Sequence, residues 1–207
     1  MREKRWYVPV YMFIVTAAFS SVVIGFAIKT ENLVEVNAQA ALEKAVLQVL
    51  PTLYSETASR SELHKTFVEQ VGRPSDETGG AYVFKKGKQI EAYAVPFSGQ
   101  GFWATIKGVV GVKADKKTIT GIAFYEQSET PGLGAEITKP TFKNQFPGRI
   151  LADKAVLLKM KRPGESLAQN EYHAITGATQ TSTRVEKIIN DALNQWQEKI
   201  EKRGGQK

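Results

Sequence analysis

Residues 81–125 read AYVFKKGKQIEAYAVPFSGQGFWATIKGVVGVKADKKTITGIAFY, and the fold turns on this stretch. Ala81–Lys85 and Gln89–Val95 flank Lys86-Gly87-Lys88, which reads as a hairpin. Trp103–Val112 and Thr118–Tyr125 are two further β-rich runs, joined by Ala114-Asp115-Lys116-Lys117 as a second hairpin. Downstream, Phe142–Phe146 is too short to assign, and Ala155–Met160 reads as another strand. Upstream, Leu33–Leu50 has the helical period, with Leu42, Ala45, Val46, Val49 and Leu50 on one face and Pro51 as its stop. Ser61–Val71 is a second, short helix, with Ser61 as its cap and Leu63, Phe67 and Val71 on one side. Thr183–Arg203 is the clearest helix. Val185, Ile188, Ile189, Ala192, Leu193, Trp196 and Ile200 line it, and Thr183 with Glu186 has the form of a capping box. Helices at both ends with antiparallel strands between them make an α+β pattern.

Tyr7–Ile28 carries no charged residue. As a helix these residues span roughly 33 Å, enough for a hydrocarbon core of about 30 Å. Trp6, Tyr7 and Tyr11 stand where an interfacial aromatic belt stands. Arg2, Lys4 and Arg5 precede the run, so the positive-inside rule places the N-terminus in the cytoplasm and residues 30–207 across the membrane. The rival reading is a cleaved signal peptide, since Ala38-Gln39-Ala40 has the A-x-A form. That tripeptide lies well beyond an apolar run that is itself too long for a signal h-region. The division expected is 1–29 as cytoplasmic tip and anchor, 30–78 as a helical linker region, 79–203 as the folded domain and 204–207 as a flexible tail.

The 207 residues contain no cysteine, which excludes disulfides, thiolate catalysis and iron–sulfur ligation. Two histidines, His64 and His173, stand far apart and lack ligand spacing, so a zinc site or bis-His haem is not indicated. Redox chemistry would need an organic cofactor. The net charge of +7 includes no Lys/Arg run of the kind that nucleic-acid binders use.

Two loops stand apart from ordinary connections. In Glu129-Thr130-Pro131-Gly132-Leu133-Gly134 the glycines permit close backbone approach, and an apolar side chain held between them can press on a flat ring. The alternative is a tight turn whose leucine plugs the core. Ile175-Thr176-Gly177-Ala178-Thr179-Gln180-Thr181-Ser182-Thr183 leads into the long helix and is rich in hydroxyls. Helix N-termini attract anions, and small residues admit a phosphate. The alternative is a Thr/Ser-rich cap with a purely local role. The loop has no Gly-Lys-Ser/Thr, so nucleotide hydrolysis is not indicated.

Both loops, in this order behind one membrane anchor, resemble the FMN-binding subunits of the Rnf and Na+-translocating NADH:quinone reductase complexes. The resemblance runs from about Arg2 to Lys202. It includes Gly99-Gln100-Gly101-Phe102-Trp103, Tyr125-Glu126 with Glu129–Gly134, and Thr176-Gly177-Ala178-Thr179. It implies FMN joined covalently through its phosphate to Thr179, and not to Thr176, Thr181, Ser182 or Thr183. Thr176, Gly177, Ala178, Glu129, Thr130, Leu133, Gly134 and Trp103 are the further cofactor-binding residues. Leu133 packs near the flavin ring, Glu129 and Thr130 supply polar contacts, and Trp103 is a candidate for stacking. The family usually has Asp where this sequence has His173.

The length and plain C-terminal helix look like the G subunit of Rnf. The implied function is electron relay within a membrane-bound, ion-translocating ferredoxin:NAD oxidoreductase. The alternatives are the C subunit of the quinone reductase or a membrane-tethered FMN sensor. The implied partners are the other membrane subunits and a flavin transferase for maturation. No independent catalysis is expected. The implied location is the cell inner membrane, with the C-terminal domain extracytoplasmic.

Overall fold

The computed structural model of the protein describes residues 6–153 and 156–204. The positive tip Arg2, Lys4 and Arg5, the first residue of the strand expected at Ala155–Met160, and residues 205–207 of the expected tail lie outside the described residues. The chain divides into two compact units, Met1–Gln39 and Ala40–Lys207.

The first unit is helical. It belongs to α1, Tyr7–Val49, a single helix of 43 residues that is long and apolar enough to cross a membrane. In its first half the apolar side chains are largely exposed: Phe13, Phe19 and Phe26 are each about 70% exposed. A helix that is apolar all round suits lipid better than water. Two hydroxyls within it turn back on the helix. Ser21 Oγ donates to the Ala17 carbonyl at 2.8 Å and Thr30 Oγ1 to the Phe26 carbonyl at 2.9 Å, so neither asks for a partner outside.

The second unit is built on a five-stranded antiparallel meander. Its strands are β1 (Val71–Gly72), β2 (Tyr82–Lys86), β3 (Gln89–Gln100), β4 (Thr105–Lys113) and β5 (Ile119–Glu126), paired in chain order. Both expected hairpins form. Gly87 supplies the left-handed residue of the first, at φ 66°. In the second, Asp115 Oδ1 accepts from the backbone N–H of Lys117 (2.9 Å) and Thr118 (2.8 Å). The third strand run begins later than expected, at Thr105, because Gly101 N donates to the Ala104 carbonyl at 2.8 Å and closes a turn over Phe102 and Trp103.

Side chains of opposite parity cover opposite faces of the sheet. Tyr93, Val95, Phe97, Ile106, Val110 and Val112 face α4 (Thr179–Gly204), whose Val185, Ile188, Ile189, Leu193 and Trp196 complete that core. Ala92, Ala94, Val109 and Ala123 face the end of α1 and α2 (Arg60–Gln70), where Val46, Val49, Leu50 and Phe67 are buried. The small residues on this second face let the helix come close. Gly111 stands directly opposite Gly121, and a Cβ at Gly111 would overlap the Val49 carbonyl and the Thr120 hydroxyl. That hydroxyl donates to the Val49 carbonyl at 2.5 Å and so satisfies the helix end. Glu43 and His64 Nδ1, 2.8 Å apart, join α1 to α2.

Several expectations needed correction. The cap of α2 is Ser59, not Ser61. Glu62 is three residues beyond Ser59 and returns its carboxylate to the Ser59 N–H at 2.7 Å, closing a capping box that Ser61 cannot form. The segment around Phe142 is helical. Pro140 opens the short α3, Pro140–Lys143, and Phe142 and Phe146 turn inward onto Tyr172. The later strand run shrinks to β6, Lys159–Lys161, which pairs with β7, Glu171–His173, in parallel rather than antiparallel. Tyr172 is fully buried with no partner for its hydroxyl. Burial, reinforced by the Glu186 charge, holds its phenol well above the ordinary range and therefore neutral.

Candidate functional site

Three segments distant in sequence meet at one end of the sheet. The first is the turn Gly101–Ala104, which lifts Phe102 and Trp103 into solvent, their rings edge to face at 4.9 Å. The second is the Glu129–Gly134 loop. Leu133 N and Ala135 N both donate to the Thr130 carbonyl at 3.1 Å, and Gly132 takes the left-handed conformation at φ 75°. This tight loop leaves the Leu133 side chain 43% exposed. The leucine is therefore presented outward and does not plug the core. The third segment is the entry to α4, where Gly177 is left-handed at φ 78° and a Cβ on it would lie 3.2 Å from Leu133 Cδ2. The two Gly-rich loops are thus in direct contact.

Glu129 joins all three segments. It is 5% exposed, yet its carboxylate is fully engaged. Oε1 accepts from Phe102 N at 2.8 Å and Trp103 N at 3.1 Å, and Oε2 accepts from the Thr181 hydroxyl at 2.6 Å. Gly134 sits so close beneath this bond that a Cβ there would lie 2.5 Å from Thr181 Oγ1. On the outer side, Trp103 Nε1 donates to Thr130 Oγ1 at 3.0 Å. Every cofactor-binding residue expected from sequence lies in these three segments. Thr181 and Phe102 were missed. The signal for Thr181 was faint, since nothing local separates it from the other hydroxyls of its loop.

The entry to α4 differs from its expected form. The helix starts at Thr179, so Thr183 lies inside the helix and does not cap it; its hydroxyl donates to the Thr179 carbonyl at 2.9 Å. Glu186 is drawn away from any capping role because its carboxylate accepts from Met160 N at 2.7 Å. Ser182 is buried and its Oγ accepts from Ile175 N at 3.1 Å. The hydroxyls of this loop therefore fall into two groups. Thr181, Ser182 and Thr183 are committed to bonds within the protein. Thr176 and Thr179 are exposed, and among the described residues neither hydroxyl makes a hydrogen bond. His173 is tied in place: its Nε2 lies 2.8 Å from the Glu165 carbonyl and its backbone N–H donates to Gln145 Oε1 at 2.8 Å.

These residues suit a phosphorylated flat ring. The first turn of α4 holds no acidic side chain, and its leading N–H groups favour an anion beside Thr179. Leu133, Phe102 and Trp103 give an exposed apolar surface for a ring face, and left-handed Gly177 keeps the passage between phosphate and ring clear of a side chain.

Comparison with known proteins agrees with this geometry. Residues 101–194 match the FMN-binding domain family model, which takes in the aromatic turn, the Glu129–Gly134 loop and the first half of α4. The C subunit of the Na(+)-translocating NADH-quinone reductase of Pasteurella multocida is 40% identical over 99 residues, which are 47% of this chain and 38% of that protein. Its counterpart in Vibrio anguillarum is 36% identical over 112 residues, 53% of this chain and 44% of that one. The match thus spans about two-fifths of the length of these curated relatives. The crystal structure of the counterpart from Parabacteroides distasonis superposes with a TM-score of 0.67 at 25% identity, covering 80% of this chain and 94% of that one. Residues 101–194 thus resemble an FMN-binding domain, and the chain is similar in sequence and in fold to the C subunits of the Na+-translocating NADH-quinone reductases.

Proposed function

We propose that this chain is a membrane-anchored electron-relay subunit of an NADH:quinone reductase-type complex, carrying FMN esterified through its phosphate to Thr179. The observation that carries the reading is the pairing of an uncommitted, exposed Thr179 hydroxyl at a helix start with the apolar surface of Leu133, Phe102 and Trp103. The relatives named above favour the quinone-reductase reading over the Rnf reading. Bound FMN supplies the one- and two-electron chemistry. The chain's own residues hold and shield. The leading N–H groups of α4 neutralise phosphate charge, Leu133 and the aromatic pair cover one ring face, and Gly177 leaves the passage open.

Its partners on this reading are the other membrane subunits of the complex and a flavin transferase. Arg2, Lys4 and Arg5 ahead of the apolar run support a cytoplasmic N-terminus and an extracytoplasmic flavin domain.

The test is made on the full chain co-expressed with the transferase. Its intact mass should rise by one FMN less one water. In membranes holding the whole complex, NADH should reduce this flavin and quinone should reoxidise it. Reduction by ferredoxin with no response to NADH would return the Rnf reading. A protease added to spheroplasts should digest the flavin domain, and protection there would overturn the orientation.

A further inference from the structure

The carboxylate of Glu129 sits beneath the proposed flavin surface and not on it. Its two oxygens take three hydrogen bonds from two segments: the aromatic turn at Phe102 and Trp103, and α4 at Thr181. The donors arrive from 26 and 27 residues earlier and 52 residues later in the chain. Nothing local would bring them together. The side chain is buried, and its two oxygens meet three donors there. The backbone N–H groups of Phe102 and Trp103 have no β-partner at the turn, so without the carboxylate they would lose their acceptor within the protein. Thr130, the next residue, grips the same tryptophan from outside through its indole N–H.

We infer that Glu129 is the positioning residue of the flavin site, a latch that fixes the Phe102–Trp103 turn and the first turn of α4 in one frame. The inference rests on the reading of Thr179 as flavin carrier and adds to it how the ring surface and the attachment point are held in register. A carboxylate serves all three donors with two acceptor oxygens and no competing donor. Gln keeps one acceptor for the Phe102 and Trp103 amides and turns an N–H₂ toward Thr181, whose hydroxyl can reverse and accept. Ala keeps nothing. Thr181→Val removes only the α4 arm of the latch and preserves shape.

Two measurements separate this inference from the reading beneath it. In the full chain without flavin, amide exchange at Phe102 and Trp103 should quicken about tenfold or more in Glu129→Ala. Glu129→Gln should restore protection. In the chain loaded at Thr179, Glu129→Ala and Thr181→Val should each displace the flavin absorption band and reduction potential from wild type, with the mass still showing FMN. If Glu129→Ala does not fold, Thr181→Val carries the loaded test alone. Unchanged amide exchange in Glu129→Ala, or an unchanged flavin spectrum and potential in a loaded variant whose latch is broken, would overturn the positioning role. Absence of FMN from the wild-type mass would instead sink the carrier reading and leave the amide-exchange result standing.

Discussion

Thr179→Ala, co-expressed with the flavin transferase, yields a folded and colourless chain with essentially no flavin fluorescence on a denaturing gel. The reason is chemical before it is structural. Of the hydroxyls between Thr176 and Thr183, only those of Thr176 and Thr179 are exposed and unbonded. Thr179 has the helix dipole behind it; Thr176 precedes the left-handed Gly177 and lies off the helix. Thr176→Ala therefore keeps the label and serves as the control. Folding survives Thr179→Ala because the carbonyl that accepts from the Thr183 hydroxyl is kept, and because alanine is the better helix former by about a few tenths of a kcal/mol. Thr179→Ser retains an acceptor and keeps partial labelling. Flavin mapped to Thr176 or Thr183 by peptide mass, or retained in Thr179→Ala, would show the assignment to be wrong.

The largest loss of stability is expected from Trp196→Ala, at about 3–5 kcal/mol. Trp196 is 2% exposed, meets Tyr93 edge to face at 5.2 Å, and donates its indole N–H to the Thr78 carbonyl at 3.1 Å. Packing around it is tight enough that a Cβ on Gly79 would stand 3.0 Å from its ring. The hydrogen bond is the lesser part, because the Thr78 carbonyl also accepts from Ala81 N. Trp196→Phe should accordingly cost only about 0.5–1.5 kcal/mol beyond the change in packing. Chemical denaturation of the full chain, followed by circular dichroism, measures both. A loss below about 1 kcal/mol in Trp196→Ala would mean that the cavity collapses and that α4 is held mainly by its other apolar residues.

What sequence could disclose about this chain follows the range of the interactions involved. The meander was legible because each hairpin is local: Gly87 and Asp115 act within a few residues of where they stand. The apolar stripe of α4 was legible for the same reason. Helix starts were misread where two candidates competed. Ser59 and Ser61 are equally good caps by type, and only the spacing to Glu62 decides between them. Thr183 with Glu186 has the right pattern, but Glu186 is recruited by Met160 from another part of the chain, and the helix extends back to Thr179. Glu129 shows the limit most plainly. Its motif marked it as part of the site, but an acidic residue in a Gly-rich loop reads as a surface contact. That its oxygens point inward depends on partners 26 residues before it and 52 after, which no local pattern encodes.

The order of the strands sets the order in which the domain can form. Sheet neighbours are also chain neighbours from β1 to β5, so pairing can proceed strand by strand as the chain is delivered, with short loop closures throughout. The face that carries Tyr93, Phe97, Ile106 and Val110 behaves differently. Its cover comes from Val185, Ile188, Ile189, Leu193 and Trp196, which arrive last. Until α4 docks, that face is an open apolar surface. In the same interval Thr181 has not reached Glu129, and Gly177 has not reached Leu133. On the proposed reading the seat for the flavin comes into being with the closing of the core, and attachment at Thr179 would mark a chain that has finished folding.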